Sequence, residues 1–285
     1  MVGFAAGAVT DTAARTIAES LKENLPNEVD VVVENKPGGG AIVGVTEVVN
    51  AKPDGYTIGF IPDGPLTLQT HYGNTTYDYE EVTLLSQTSQ SDLIMAVHVD
   101  SPWNDFDEFL EEARDNPGTL KIGTPGSGTM PDLTVTQMME ETGAEVTTVP
   151  FEGNAPARTA LLGKDVDAIL LSETDILPYA AGENADIVPI MNFGVEKFDE
   201  FPDLPVALDE GIDVSEVASF LFIGPQDLPD EISSILDNAI KKSLEDPKVM
   251  EAYEKIGLRI HHRSPDKIKQ LLDESYERYG ELIQH

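Results

Sequence analysis

The chain holds 285 residues, 40 % apolar and 25 % charged, enough for one large α/β domain or two ordinary lobes without covalent staples. With no Cys, thiolate catalysis and thiolate metal sites are excluded. Eighteen Lys and Arg face 52 Asp and Glu, and a formal net charge of −34 repels nucleic acid and anionic lipid, so neither is expected as a ligand.

Val2–Ala6 reads as a short strand that turns through Gly7 into a helix over Asp11–Leu25. Ala14, Ile17, Ala18 and Leu21 form its apolar stripe. Pro26 and Asn27 stop it. Val29–Val33 is a second strand, Lys36–Gly40 turns into a helix ending near Ala51, and Lys52–Gly55 turns into a strand over Tyr56–Ile61. Further strands are predicted over Leu93–Val97, Leu120–Gly123, Val146–Val149, Val166–Leu171, Ile187–Ile190 and Val217–Ile223. Helices are predicted over Asp105–Asp115, Pro131–Glu141, Ala155–Leu162, Asp230–Leu244, Pro247–Ile256 and Pro265–Leu282.

This alternation predicts α/β architecture with largely parallel sheets. No repeat or flexible linker separates the halves. The expected organisation is two lobes joined by crossing strands: residues 1–100 with 225–285, and residues 101–224, the C-terminal helices returning to the first lobe. No stretch approaches the ~20 apolar residues of a membrane span. Met1–Ala6 opens without the basic and apolar regions of a signal peptide.

Three strand-to-helix turns could approach a ligand: Phe4–Asp11, Gly123–Pro131 and Val149–Pro156. Each is small or Gly-rich, and each opens a helix whose first N–H groups lack internal partners. Several such turns beyond the carboxyl ends of strands make a site for a carboxylate or phosphate. Taken singly, Asp11 and Thr129 read as simple helix caps. None of the three turns contains Lys or Arg.

Catalytic and cofactor patterns fail in turn. Pro125 and Thr129 occupy the glycine places that a nucleophile elbow around Ser127 needs. The Gly runs lack P-loop and dinucleotide spacing. His71, His98, His261, His262 and His285 form no ligand or base–orienter pattern, and Glu140-Glu141 reads as a solvated helix face. No metal and no cofactor are expected.

Together the segments resemble the substrate-binding receptors of tripartite tricarboxylate transporters, the Bug receptors, over nearly the whole chain. The resemblance rests on Phe4-Ala5-Ala6-Gly7-Ala8-Val9-Thr10-Asp11 with Ala14-Arg15, and on Val33-Glu34-Asn35 with Gly38 and Gly40. It also rests on Pro53-Asp54-Gly55-Tyr56-Thr57, Gly126-Ser127-Gly128-Thr129, Val149–Gly153 with Ala155-Pro156-Ala157, and Leu204-Pro205 leading to Glu210-Gly211. It implies a two-lobed type II periplasmic-binding-protein fold with the ligand in a cleft between lobes, no enzymatic activity, and membrane permease subunits as partners. By position it implies ligand contacts from Phe4, Ala5, Ala6, Gly7, Thr10, Asp11, Asp63 and Gly64 in the first lobe. In the second it implies Gly126, Ser127, Gly128, Thr129, Phe151, Glu152, Gly153, Asn154, Ser172 and Glu173.

The sequence departs from the family pattern at Ala8, a Gly place, at Asp132, often His, and at Glu152, often Lys. Two acids in place of basic residues favour a mono- or dicarboxylate, or an acidic amino acid, over a tricarboxylate. The resemblance also implies an extracytoplasmic location, with the signal segment expected ahead of Met1. Two other readings stand beside transport: a sensor feeding a membrane kinase, and an enzyme handling phosphate or carboxylate. The charge itself fits a halophile, because about molar salt shrinks the Debye length to about 3 Å and makes such self-repulsion tolerable.

Overall fold

The computed structural model describes residues 1–180, 185–198 and 201–283. The first part of the chain forms α1 (Val9–Asn24), α2 (Ile42–Val49), β1 (Gly59–Pro62), α3 (Gly64–Thr67) and the long β2 (Val82–His98). Then come α4 (Phe106–Asp115), β3 (Lys121–Thr124), α5 (Met130–Thr142), β4 (Thr147–Pro150), α6 (Asn154–Leu162), β5 (Ala168–Ser172), α7 (Glu173–Ala180) and β6 (Ile187–Asn192). The last part is β7 (Val217–Pro225), α8 (Asp230–Leu244), α9 (Pro247–Lys255), β8 (Arg259–Arg263) and α10 (Pro265–Ile283). Two compact units emerge: Met1–Gln90 with Ser219–His285, and Ser91–Ala218. The chain leaves the first inside β2 and re-enters it inside β7.

In the first unit β1 pairs antiparallel with β7, and the first half of β2 pairs antiparallel with β8. The stripe predicted on α1 is buried: Ala14, Ile17 and Leu21 join Phe60, Phe222, Leu236 and Tyr253 in one apolar cluster. Val45, Ile61, Leu66, Leu221 and Leu272 form a second. The C-terminal helices belong to this unit, with α8 and α9 packed on α1 and α10 on α3.

In the second unit the strand order is β4-β3-β5-β2-β6, using the second half of β2. β3 runs parallel to both β4 and β5, whereas β2 runs antiparallel to β5 and β6. The sheets are therefore mixed rather than largely parallel, because the strand that carries the chain between units runs against its neighbours. α4 buries Phe106, Phe109, Leu110 and Ala113 against one face, and α6 buries Ala157, Ala160 and Leu161 in a separate cluster.

Two expected strands are absent as ladders. Val2 makes only isolated parallel bridges, to Asn35 on one side and Phe60 on the other, and residues 29–33 are extended without strand pairing. A strand needs a neighbour along its length to satisfy its backbone groups, and here one residue alone fills that place.

Candidate functional site

The second unit brings three loops to one sheet edge. Because β3, β4 and β5 are parallel neighbours, the turns that follow them leave from the same end. Backbone bonds fasten the first two: Phe151 N–H donates to the Thr124 carbonyl and Gly153 N–H to that of Pro125, both at 2.9 Å. The third is tied to the second through Asp175 at the start of α7. Its carboxylate accepts from Asn154 Nδ2 at 2.6 Å, Ser172 Oγ at 3.0 Å and Arg158 at 3.0 Å. Arg158 also lies over the Tyr179 ring. Asp175 is the residue that sequence reasoning passed over, since a single acid two places after Glu173 carries no pattern.

The first of these loops is shaped by Asp132, the third residue of α5. Its carboxylate reaches back to accept from Gly128 N–H at 2.9 Å and from the Thr124 hydroxyl at 3.1 Å. Gly128 adopts φ +67°, a left-handed conformation that costs other residues energy. Thr129 occupies the helix-cap position, but its hydroxyl donates to the Gly126 carbonyl and caps nothing. Ser127 and Glu152 are exposed, while Phe151 and Asn154 are half-buried. Glu173 is buried and accepts from Asp92 N–H at 2.8 Å, so its carboxylate braces the unit beneath the loops.

The first unit repeats the device. Asp11 is the third residue of α1, and it accepts from Gly7 N–H at 2.8 Å, with Gly7 at φ +85°. It is therefore not the cap that its position ahead of the helix stripe predicts. Ala8 holds the cap place at φ −68°, a conformation open to any residue, which explains why no second glycine is needed. Asn35 bridges the loop, donating to the Phe4 carbonyl at 3.0 Å and to Asp11 at 2.8 Å, and Arg15 completes the cluster. Burial opposes ionisation of Asp11, but the bonds from Arg15, Gly7 and Asn35 outweigh it and hold the carboxyl below its ordinary range. Asp63 follows β1 and is buried, exchanging bonds with Ser219 through its N–H and carboxylate, while Gly64 opens α3. Ala5, Ala6 and Gly7 are exposed, Phe4 is half-buried and Thr10 is buried.

One Ser/His/Asp grouping lies elsewhere in the first unit. Ser86 Oγ and Asp237 Oδ1 both face His262 Nε2, at 3.2 and 3.3 Å. A relay needs the two partners on opposite ring nitrogens, so this is a structural cluster around a fully buried serine. His71 Nε2 donates to the Tyr276 carbonyl at 2.7 Å, and its ring lies tilted against that of Tyr276. His98 accepts from Asp100 N–H, and His285 lies outside the described residues.

Mixed sheets with helix-opening loops at their strand ends define a periplasmic-binding-protein fold. A solute-binding protein from Polaromonas, described as TctC, superposes with TM-score 0.86 at 24 % identity, covering 99 % of this chain and 96 % of that one. The periplasmic binding protein BugD matches at TM-score 0.80 and 27 % identity, over 99 % and 95 %. MatC from Rhodopseudomonas palustris, solved with bound malate, matches at TM-score 0.81 and 22 % identity, over 99 % and 97 %. The family model of the tripartite tricarboxylate transporter family receptor matches residues 13–285, and the chain belongs to that family. It is a solute receptor, not an enzyme. Among the described residues no helix is long and apolar enough to cross a membrane.

Proposed function

We propose that this receptor binds a small mono- or dicarboxylate, acidic amino acids included, outside the cytoplasm and passes it to the membrane permease of a tripartite tricarboxylate transporter. The observation that carries the ligand class is the chemistry of the second unit's loop edge. Residues 125–129 and 151–154 contain no Lys or Arg, while the first-turn amides of Met130, Asn154 and Ala155 have no acceptor within their helices. Such amides favour an anion. Asp132 accepts from its own loop, Asp175 and Arg158 neutralise each other at 3.0 Å, and Glu152 adds an exposed negative charge. A ligand with few carboxylates suits that balance better than one with three. The malate bound by MatC supports the same class, and the likeness to BugD, a periplasmic binding protein, supports the compartment.

The candidate contacts of the second unit are residues 126–129, 151–154 and Ser172, and those of the first unit, taken by itself, are residues 4–7, Thr10 and residues 63–64. Glu173 and Asp11 act by holding loops rather than by touching ligand. A thermal-shift screen of C3–C6 acids and acidic amino acids in high salt tests the proposal. A hit with micromolar affinity, about −8 kcal/mol, raises the melting temperature through linkage. Native mass spectrometry of purified receptor identifies any acid carried along. Folded protein that responds to no acid in the panel rules the carboxylate reading out.

A further inference from the structure

Asn154 opens α6 and brings two kinds of polar group to one place. Its backbone N–H and that of Ala155 donate to no described residue, and Pro156 behind them has no N–H to add. A helix start of this make-up offers a pair of amides, which matches the two oxygens of one carboxylate.

The side chain of Asn154 is oriented by Asp175. Asn154 Nδ2 donates to Asp175 Oδ2 at 2.6 Å, and a carboxylate ion-paired with Arg158 at 3.0 Å only accepts. The amide is therefore held one way round: its nitrogen faces Asp175, and Oδ1 lies on the opposite arm of the group. No described residue donates to that oxygen. Ser172 is committed in the same sense. Its single hydroxyl proton goes to Asp175 Oδ2 at 3.0 Å, which leaves the Thr174 hydroxyl to donate to it, also at 3.0 Å. Asp175 is itself steadied by Arg158, whose guanidinium lies 4.3 Å from the centre of the Tyr179 ring.

We propose that Asn154 Oδ1 is a specificity-determining acceptor, selecting carboxylates that carry a hydroxyl or ammonium on carbon 2 over their unsubstituted counterparts, with Asp175 as its positioning residue. The proposal rests on the carboxylate reading above. A carboxylate seated on the amides of Asn154 and Ala155 leaves its carbon 2 beside the Asn154 side chain, where a donor answers Oδ1 directly. An unsubstituted acid displaces water from Oδ1 and gives no bond in return. A 2-oxo acid sets one acceptor against another.

The test is calorimetry on the whole receptor with matched acids of the C3, C4 and C5 series, each as the 2-hydroxy, 2-amino, unsubstituted and 2-oxo member. Within a series that binds, the 2-hydroxy or the 2-amino acid is expected to bind at least about tenfold tighter than the unsubstituted acid, and the 2-oxo acid weakest of all. Whichever donor wins, the preference supports the proposal and names the substituent. Asn154→Ala brings the ratio of donor-bearing to unsubstituted acid close to one. Asp175→Ala, which keeps Asn154 but lets its amide turn, lowers that ratio at least about threefold. Unsubstituted or 2-oxo acids that bind as tightly as the donor-bearing ones overturn the proposal and leave the carboxylate reading standing, and the wild-type series decides this without any variant. A ratio unchanged in either variant overturns it too. Silence from every acid removes both readings together.

Discussion

Asp11 and Asp132 do the same work in separate units: a carboxylate on the third residue of a helix bonds back to a left-handed glycine before the cap. Each ties a turn to the helix that follows it, and that helix opens with amides free to meet an anion. Asp11→Asn tests the device most sharply. An Asn there still accepts from Gly7, but its amide meets the donors of Arg15 and Asn35. Arg15 is half-exposed, so its charge is screened and adds little; the other bonds carry most of the expected loss of about 1–3 kcal/mol at neutral pH. The pH dependence follows from the lowered carboxyl. Its stabilisation is complete above the ordinary aspartate value of 3.8 and is lost as pH falls through the still lower folded value. Melting curves of wild type and Asp11→Asn should therefore converge below that range and separate above it. At the second loop, a Cβ on Gly126 meets Thr129 Cγ2 at 3.2 Å. Gly126→Val is expected to weaken ligand binding about tenfold or more, and Ser127→Ala less, since water replaces one exposed hydroxyl. Arg158→Gln belongs between them, as its charge is already given to Asp175. Calorimetry that finds Arg158→Gln abolishing binding while Gly126→Val leaves it intact refutes a backbone-held anion.

Elements with one apolar face were legible from residues alone. α4 is the clearest: Phe106, Phe109, Leu110 and Ala113 turn inward, and Asp105 caps it by accepting from Glu108 N–H at 2.9 Å. Asp105→Ala should cost about 1 kcal/mol in a chemical melt, and Phe109→Ala, fully buried, about 3–5 kcal/mol. Elements whose state is set by distant partners were not legible. The first half of β2 runs Ser86-Gln87-Thr88-Ser89-Gln90, a polar run with no apolar alternation to mark a strand, yet all five are buried. Their polarity is absorbed far along the chain, Ser86 on Asp237, Gln87 on Arg263 and Thr88 on the Phe220 carbonyl. β8, Arg259–Arg263, is a strand only because β2 offers it an edge. α7 carries Pro178 within it, and a proline in the interior argues against a helix. The candidate loops stood out because glycine and missing cations mark them; the acids that hold those loops were misread, because reaching back to an amide leaves no trace in spacing.

At the scale of the whole molecule the dominant force without a visible partner is charge. A formal −34 cannot be balanced by local pairing. Lys22, Lys164 and Lys255 are already committed to Asp30, Asp100 and Glu251, and α4 alone exposes Asp107, Glu108, Glu111 and Asp115. At about 0.1 M salt the Debye length of about 10 Å lets carboxylates on neighbouring helices repel one another; at about 1 M it is about 3 Å, shorter than most of their separations. Since unfolding spreads these charges apart, repulsion acts against the folded state and dilute salt should favour loss of structure. We propose that this surface is adapted to concentrated salt, as in a halophile. The melting temperature is expected to rise steeply with potassium chloride up to about 1 M and then level, because screening is spent once the Debye length falls within side-chain reach. Sulfate should continue to stabilise beyond that point, through its exclusion from the surface rather than through screening. Replacing Asp107 and Glu111 by Lys removes repulsion at its source, so the double variant should melt higher in dilute chloride and show a shallower salt slope. A wild-type protein that melts at the same temperature in about 0.1 M and 2 M chloride would show that its acids repel too weakly to matter, and would remove the case for salt adaptation.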